Sequence, residues 1–130
     1  MILDTSYLID LFDGQEAAFD KGLELAGSQT VQRVPSPVVM ELSYGAAFGG
    51  DEERRNVRNA LRMYPVIEQN AAMARRAGQL LARADRQAGG ESGVDSIDPM
   101  VAAAADVFDE PVLTANRVHF ELLGVEVESY

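Results

Sequence analysis

Three acidic residues stand where a folded chain can gather them into one site. Asp4 follows a short apolar segment, Glu41 lies near the start of a predicted helix, and Asp98 precedes a proline at the start of another. Grouped carboxylates bind hard divalent cations such as Mg²⁺ or Mn²⁺, and such cations activate water for phosphodiester hydrolysis. Each acid taken alone is better explained as a turn, cap or helix-dipole residue. Only their joint occurrence favours a metal site.

The near absence of cysteine and histidine limits the kind of metal site that the chain can form. The chain has no cysteine and a single histidine, His119, which excludes disulfides, thiolate zinc sites and sites built from several histidines. Any bound metal must therefore be held mainly by oxygen, which is the ligand that Mg²⁺ and Mn²⁺ prefer.

The elements that must position these acids follow from the pattern of apolar residues and helix breakers. Strands are predicted at 1–3, 30–34, 64–67, 112–114 and 125–127, and helices at 7–12, 17–26, 37–49, from about 51, at 71–88 and at 100–105. Alternating strands and helices predict an α/β sandwich with a mostly parallel sheet. Ligands of such sheets bind beyond the carboxyl ends of the strands, so we expect the three acids to meet at that edge.

Three polar residues are predicted to cap helices. Ser36 and Asp98 each precede a proline, an arrangement typical of an N-cap followed by the first helical residue. Asn70 is predicted to cap the long helix at 71–88.

Four segments of the chain resemble, in order, the four motifs of PIN-domain nucleases, and most closely those of the VapC-type toxins. They are residues 4–10, 36–45, 98–103 and 112–120. The resemblance extends from residue 1 to residue 127, and it implies one PIN-like α/β/α sandwich over 1–130 with a four- to five-stranded, mostly parallel sheet. Carried over by position, it makes Asp4, Glu41 and Asp98 the metal-binding acids.

The fourth motif departs from the family pattern. Many members carry a further acid there, whereas this chain offers Asn116 and His119. Asn116 can ligate a cation through its carbonyl oxygen or hold a metal-bound water, but it brings no charge. Asp95 is another possible source of charge, although a loop aspartate is the better interpretation. We therefore expect one firmly held ion and a second only when substrate phosphate helps to bind it, and we interpret His119 as structural.

Three hydroxyl residues stand beside the proposed ligands. Thr5, Ser6 and Thr114 can orient a carboxylate or a water molecule from outside the ligand shell. Turn and capping roles explain them equally well.

The charge distribution bears on nucleic acid binding. The net charge of −10 opposes a general affinity for phosphates, but residues 54–86 hold eight arginines against two acids, a local charge of +6. The remaining three basic and nineteen acidic residues give −16, and this acidic, lysine-poor composition favours a halophilic source. The predicted RNA contacts are Arg54, Arg58, Arg62 and Arg75. The alternative is a solvated surface in which these arginines pair with carboxylates.

The resemblance implies a toxin endoribonuclease that uses Mg²⁺ or Mn²⁺, is neutralised by a cognate antitoxin, and forms a homodimer. The sequence has no apolar run long enough to span a membrane, so we expect a cytoplasmic protein. A housekeeping RNA-processing PIN nuclease is the nearest alternative. A catalytically silent binding module is the alternative from another class, and the neutral Asn116 is the best argument for it.

Overall fold

Strands and helices alternate along the chain in a computed structural model that describes residues 1–130, which also contains a helix at Arg117–Leu123 that the sequence did not predict. The elements are β1 (Ile2–Leu3), α1 (Thr5–Phe12), α2 (Glu16–Gly27), β2 (Val34–Pro35), α3 (Ser36–Phe48), α4 (Asp51–Met63), β3 (Val66–Ile67), α5 (Ala71–Ala88), α6 (Asp98–Phe108), β4 (Val112–Leu113), α7 (Arg117–Leu123) and β5 (Val127–Glu128). The predicted α/β fold is confirmed.

The strands are short and all of their pairings are parallel. One set has the order β1-β4-β5 and the other pairs β2 with β3. A single parallel bridge between Ile2 and Arg33 joins the two sets. The predicted parallel sheet of four to five strands is therefore present, with its β1–β2 junction reduced to one bridge. Because the strands run in one direction, their carboxyl ends share one edge.

Two predicted strands begin at the wrong residue. Residues 30–32 do not join β2, because the backbone N–H of Thr30 donates to Leu25 O and completes the end of α2. The last strand is Val127–Glu128 rather than 125–127, and its register is fixed by the pairing of Val127 with Val112.

The prediction that Ser36 caps α3 is also wrong. Pro35 occupies the cap position and Ser36 is already helical. The Ser36 hydroxyl instead accepts a hydrogen bond of 3.0 Å from the backbone N–H of Gln69, just beyond β3. The Asn70 cap is confirmed, since its side chain accepts from the N–H of Met73 at 2.9 Å.

Helix α6 lies at the centre of the core. Its residues from Val101 to Ala105 are all buried, and the alanines allow the helix backbone to approach α5, β1 and β4 closely. Tyr7 and Phe120 are the largest fully buried side chains. No helix combines the length and the apolar character that crossing a lipid bilayer requires.

Candidate active site

Asp4 and Thr114 lie side by side at the carboxyl edge of the sheet. Leu3 of β1 is paired with Leu113 of β4, so the residues that follow them are neighbours. The N–H of Asp4 donates to Leu113 O at 3.1 Å, which continues the pairing beyond the strand. Both side chains are buried, with Asp4 only 4% exposed.

Two hydroxyls donate to the same oxygen of Asp4. Thr114 Oγ1 and Ser6 Oγ each lie 2.7 Å from Asp4 Oδ2. Each hydroxyl oxygen also accepts a hydrogen bond from a backbone N–H. Thr114 Oγ1 accepts from Asn116 at 2.9 Å, and Ser6 Oγ accepts from Ala115 at 3.0 Å. The hydroxyl protons are thereby directed at Asp4, and Asp4 Oδ1 has no donor in the protein.

Glu41 shows the same arrangement on α3. Thr5 Oγ1 donates to Glu41 Oε1 at 2.6 Å, and no protein group donates to Oε2. Burial raises the pKa of Glu41, the Thr5 hydrogen bond opposes this shift, and the negative charges of Asp4 and Asp95 raise the pKa further. Glu41 therefore lies within electrostatic range of both aspartates.

Asp98 is the first residue of α6, and it is not the cap. Ile97 occupies the cap position, and Asp95 Oδ1 accepts the backbone N–H groups of Ile97 at 2.8 Å and of Asp98 at 3.0 Å. The prediction that Asp98 caps this helix is therefore wrong. Because Asp95 satisfies the free amides, the Asp98 carboxylate is available for other contacts.

Those contacts come from the fourth motif. His119 Nδ1 lies 2.7 Å from Asp98 Oδ2, and Asn116 Nδ2 lies 3.4 Å from the same oxygen. The amide nitrogen of Asn116, rather than the carbonyl oxygen that the sequence suggested as a ligand, thus faces Asp98. The interpretation of His119 as structural, drawn from the sequence, did not predict its contact with Asp98. The one feature of the sequence that pointed to it is that His119 follows Asn116 by about one helical turn, so the two side chains share a face.

The electrostatics of Asp98 suit a cation. Burial raises the pKa of Asp98 to about 6, the His119 hydrogen bond opposes the shift, and the charges of Asp95 and Asp4 add to it. Asp4, Glu41 and Asp98 each keep one carboxylate oxygen free of protein donors, and oxygen is the donor type that Mg²⁺ and Mn²⁺ prefer. These residues fit a hard divalent cation chemically. In this conformation no three acidic or histidine side chains are close enough to enclose one.

The positive charge of residues 54–86 is divided between two helices. α4 packs on α3, whereas α5 packs on α6 and α7. Arg54 is engaged with Asp51 at 2.9 Å and with the carbonyl of Gly49. The other predicted RNA contacts, Arg58, Arg62 and Arg75, are exposed and lie outside the ion pairs of the protein.

A groove of about 500 Å³ opens beside Glu41, between α1, α3 and α4. Its apolar wall includes Ile9, Phe12 and Val57, and its acidic residues besides Glu41 are Asp13, Glu52 and Glu53. An apolar groove with an acidic border suits a ligand that carries both apolar and basic groups.

The PIN domain family model matches residues 1–124. A chain of the DNA-bound VapBC structure from Salmonella typhimurium is similar with a TM-score of 0.82 and 24% identity, covering 98% of this chain and 96% of that one. A chain of a toxin-antitoxin complex from Klebsiella pneumoniae has a TM-score of 0.69 and 26% identity, with 92% and 88% covered. Mycobacterium tuberculosis VapC20, described as a sarcin-ricin loop cleaving toxin, has a TM-score of 0.68 and 18% identity, with 95% of each chain covered. No curated protein sequence matches this chain.

Proposed function

Because the chain belongs to the PIN-domain family, as its four motifs predict, we propose that it is a VapC-type toxin endoribonuclease acting in the cytoplasm. It hydrolyses RNA phosphodiester bonds with Mg²⁺ or Mn²⁺ and is neutralised by a cognate antitoxin. The observation that carries this proposal is a pattern of contacts that Asp4, Glu41 and Asp98 have in common. Each is held through one carboxylate oxygen by a neighbouring side chain and keeps the other oxygen free.

In this proposal Asp4, Glu41 and Asp98 hold the cation, which supplies water activation and stabilises charge on the phosphate. The chain's other residues keep these acids in place. Thr114 and Ser6 donate to Asp4, and Thr5 donates to Glu41. Such outer contacts limit the rotation of a ligating carboxylate, so less order is lost when the cation binds.

Asn116 belongs to the catalytic group as a donor to Asp98. Arg58, Arg62 and Arg75 are the proposed phosphate contacts, because their guanidinium groups are exposed and outside the ion pairs. Arg54 is a weaker candidate, since it must leave Asp51 to reach RNA.

The antitoxin is the proposed ligand of the groove beside Glu41. Similar structures include toxin-antitoxin complexes, and the groove joins apolar Ile9 and Phe12 to acidic Glu52 and Glu53. A segment with apolar residues and arginine suits such a surface, and an arginine that reached Glu41 would compete with the cation. The homodimer remains a prediction of the resemblance, and sedimentation velocity tests it.

The second candidate is an RNA-binding module without catalysis. It is favoured by the neutral Asn116 and by the absence of a closed group of three metal ligands. This module would bind RNA and leave it intact with every divalent cation. A housekeeping PIN nuclease differs from the toxin in its gene neighbourhood, where a toxin has a short adjacent antitoxin gene.

RNA cleavage tests the proposed function. Asp4→Asn and Asp98→Asn remove a charge but keep the shape, and we expect cleavage with Mn²⁺ or Mg²⁺ to fall by about 100-fold or more. Asp20→Asn is the matched control, because Asp20 is exposed and lies in none of the four motifs. The assay is run in low and in molar salt because the chain is strongly acidic. Unchanged cleavage in both site variants contradicts the proposal.

A further inference from the structure

The two carboxylate oxygens of Asp98 have different surroundings. Oδ2 faces two nitrogen atoms, His119 Nδ1 at 2.7 Å and Asn116 Nδ2 at 3.4 Å, whereas no protein group donates to Oδ1. The two nitrogens lie 2.8 Å apart, and both residues belong to the segment that begins α7. One oxygen of Asp98 is therefore fixed from α7 and the other is left open.

The 2.7 Å contact between His119 and Asp98 favours an imidazole that carries a proton on Nδ1. A bare Nδ1 would set its lone pair against an ionised carboxylate oxygen, which is repulsive at hydrogen-bonding distance. A protonated Nδ1 donates to Asp98 Oδ2 instead. Asn116 Nδ2 then cannot donate to Nδ1, and its available acceptor is the same Oδ2.

Helix α7 does not depend on His119 for its own position. The neighbouring Phe120 and Leu123 are fully buried, and Arg83 Nη2 donates to the carbonyl of Leu123 at 2.8 Å. The His119 side chain remains 31% exposed. Burial of Phe120 and Leu123 supplies most of the packing energy of this helix, so the imidazole contact adds orientation more than stability.

We propose that His119 is a positioning residue: its Nδ1–H holds Asp98 Oδ2 and thereby keeps Oδ1 turned toward the proposed cation. The sequence put the fourth motif in doubt because Asn116 and His119 bring no carboxylate. In this proposal the motif contributes nitrogen donors that orient an existing carboxylate. The assignment rests on the proposed function, since orientation of Asp98 matters only if Asp98 binds the cation.

The first experiment detects the hydrogen bond between His119 and Asp98 in the metal-free protein. His119 is the only histidine, so its ring nitrogens are the only imidazole signals in a long-range ¹H–¹⁵N spectrum of the full chain. At about pH 8, where imidazole is ordinarily neutral, we expect the Nδ1–H tautomer in the wild type. Asp98→Ala removes the acceptor and should shift the population to the Nε2–H tautomer, whereas Asp20→Ala should leave it unchanged. An Nε2–H tautomer in the wild type overturns the proposal.

The second experiment measures Mn²⁺ affinity by calorimetry. His119→Ala should weaken binding by about 10- to 100-fold, as is usual when a partner of a metal ligand is lost. His119→Asn should restore most of the affinity, because its amide nitrogen can occupy the place of Nδ1. Wild-type affinity in His119→Ala, or no rescue by His119→Asn, overturns the positioning role. Thermal melting of both variants checks that the fold is kept.

The two experiments separate the possible failures. If the wild type shows the Nδ1–H tautomer but binds no Mn²⁺ and cleaves no RNA, the proposed function is wrong and the positioning role is wrong with it. If Mn²⁺ binds and depends on Asp4 and Asp98 but not on His119, only the positioning role is wrong.

Discussion

Thr114 Oγ1 donates a hydrogen bond of 2.7 Å to Asp4 Oδ2, which joins the ends of two adjacent strands across 110 residues of sequence. The contact follows from the parallel pairing of Leu3 with Leu113, since the next residue of each strand must then be adjacent. Backbone pairing thus brings an acid and a hydroxyl together before any metal is bound.

Replacement of Thr114 tests this relationship. Thr114→Val keeps the shape but removes the donor to Asp4, so the Mn²⁺ concentration for half-maximal RNA cleavage should rise by about 10-fold. Thr114→Ser keeps the hydroxyl and should behave as the wild type. Equal Mn²⁺ requirements for the valine and serine variants would show that the hydroxyl does not orient Asp4.

Asp98 should make the stability of the metal-free protein depend on pH. Its pKa rises from 3.8 to about 6 on folding, so the folded protein binds this proton more tightly than the unfolded chain. The contribution to the free energy of unfolding is fully present below about pH 4 and is lost as the pH rises through 6. The shift corresponds to at most about 3 kcal/mol.

Asp98→Asn cannot ionise and should escape this loss. With EDTA at pH 7.5 we expect it to be about 1–3 kcal/mol more stable than the wild type in urea unfolding, and the difference should vanish near pH 4. Asp20→Asn should show no such pH-dependent difference. A destabilised Asp98→Asn at pH 7.5 would contradict the buried, charge-coupled environment described for Asp98.

Gly124 should be hard to replace at the end of α7. Its φ of 76° is left-handed, and an added Cβ would meet the Arg83 guanidinium group that donates to Leu123 O. We expect Gly124→Ala to lower the free energy of unfolding by about 1–2 kcal/mol. Gly90→Ala is the control, because a Cβ there meets open space and its φ is not left-handed. Equal stability of the two variants would show that the α7 terminus is not constrained.

The arginines of α4 should control the salt dependence of RNA binding. In an Asp4→Asn background, the double variant Arg58→Gln/Arg62→Gln should reduce the slope of log affinity against log salt by about 1.4, or 0.7 for each lost phosphate contact. The control Arg76→Gln/Arg117→Gln alters guanidinium groups that are already paired with Asp106 and Glu121. Equal slopes in the two double variants would assign RNA to another surface.

The fold and the position of each acid at the end or start of an element were predictable, because both depend on local patterns. Apolar segments mark the strands, and Asp4 directly follows one of them. Glu41 lies in the second turn of a helix whose start is marked by Pro37. Because parallel strands must share a carboxyl edge, recognising these elements was enough to predict the edge at which the acids would lie, while their role as metal ligands stays a prediction.

The contacts that the sequence did not predict depend on tertiary structure. Ser36 loses its capping role because β2 and β3 pair and bring Gln69 within reach of its hydroxyl. Asp95 takes over the amides that Asp98 was expected to cap, and Asp98 turns to His119, 21 residues away. Local propensity cannot decide which of two nearby aspartates caps a helix when a distant imidazole competes for one of them.

Binding of Mn²⁺ tests most directly whether these acids form a metal site. Titration of the full chain in molar salt, followed by the paramagnetic resonance of free Mn²⁺, counts the ions that are held specifically. We predict one tightly bound ion in the wild type and in Asp20→Asn, and affinity weakened by about 100-fold or more in Asp4→Asn and Asp98→Asn. Wild-type affinity in both site variants would contradict the account.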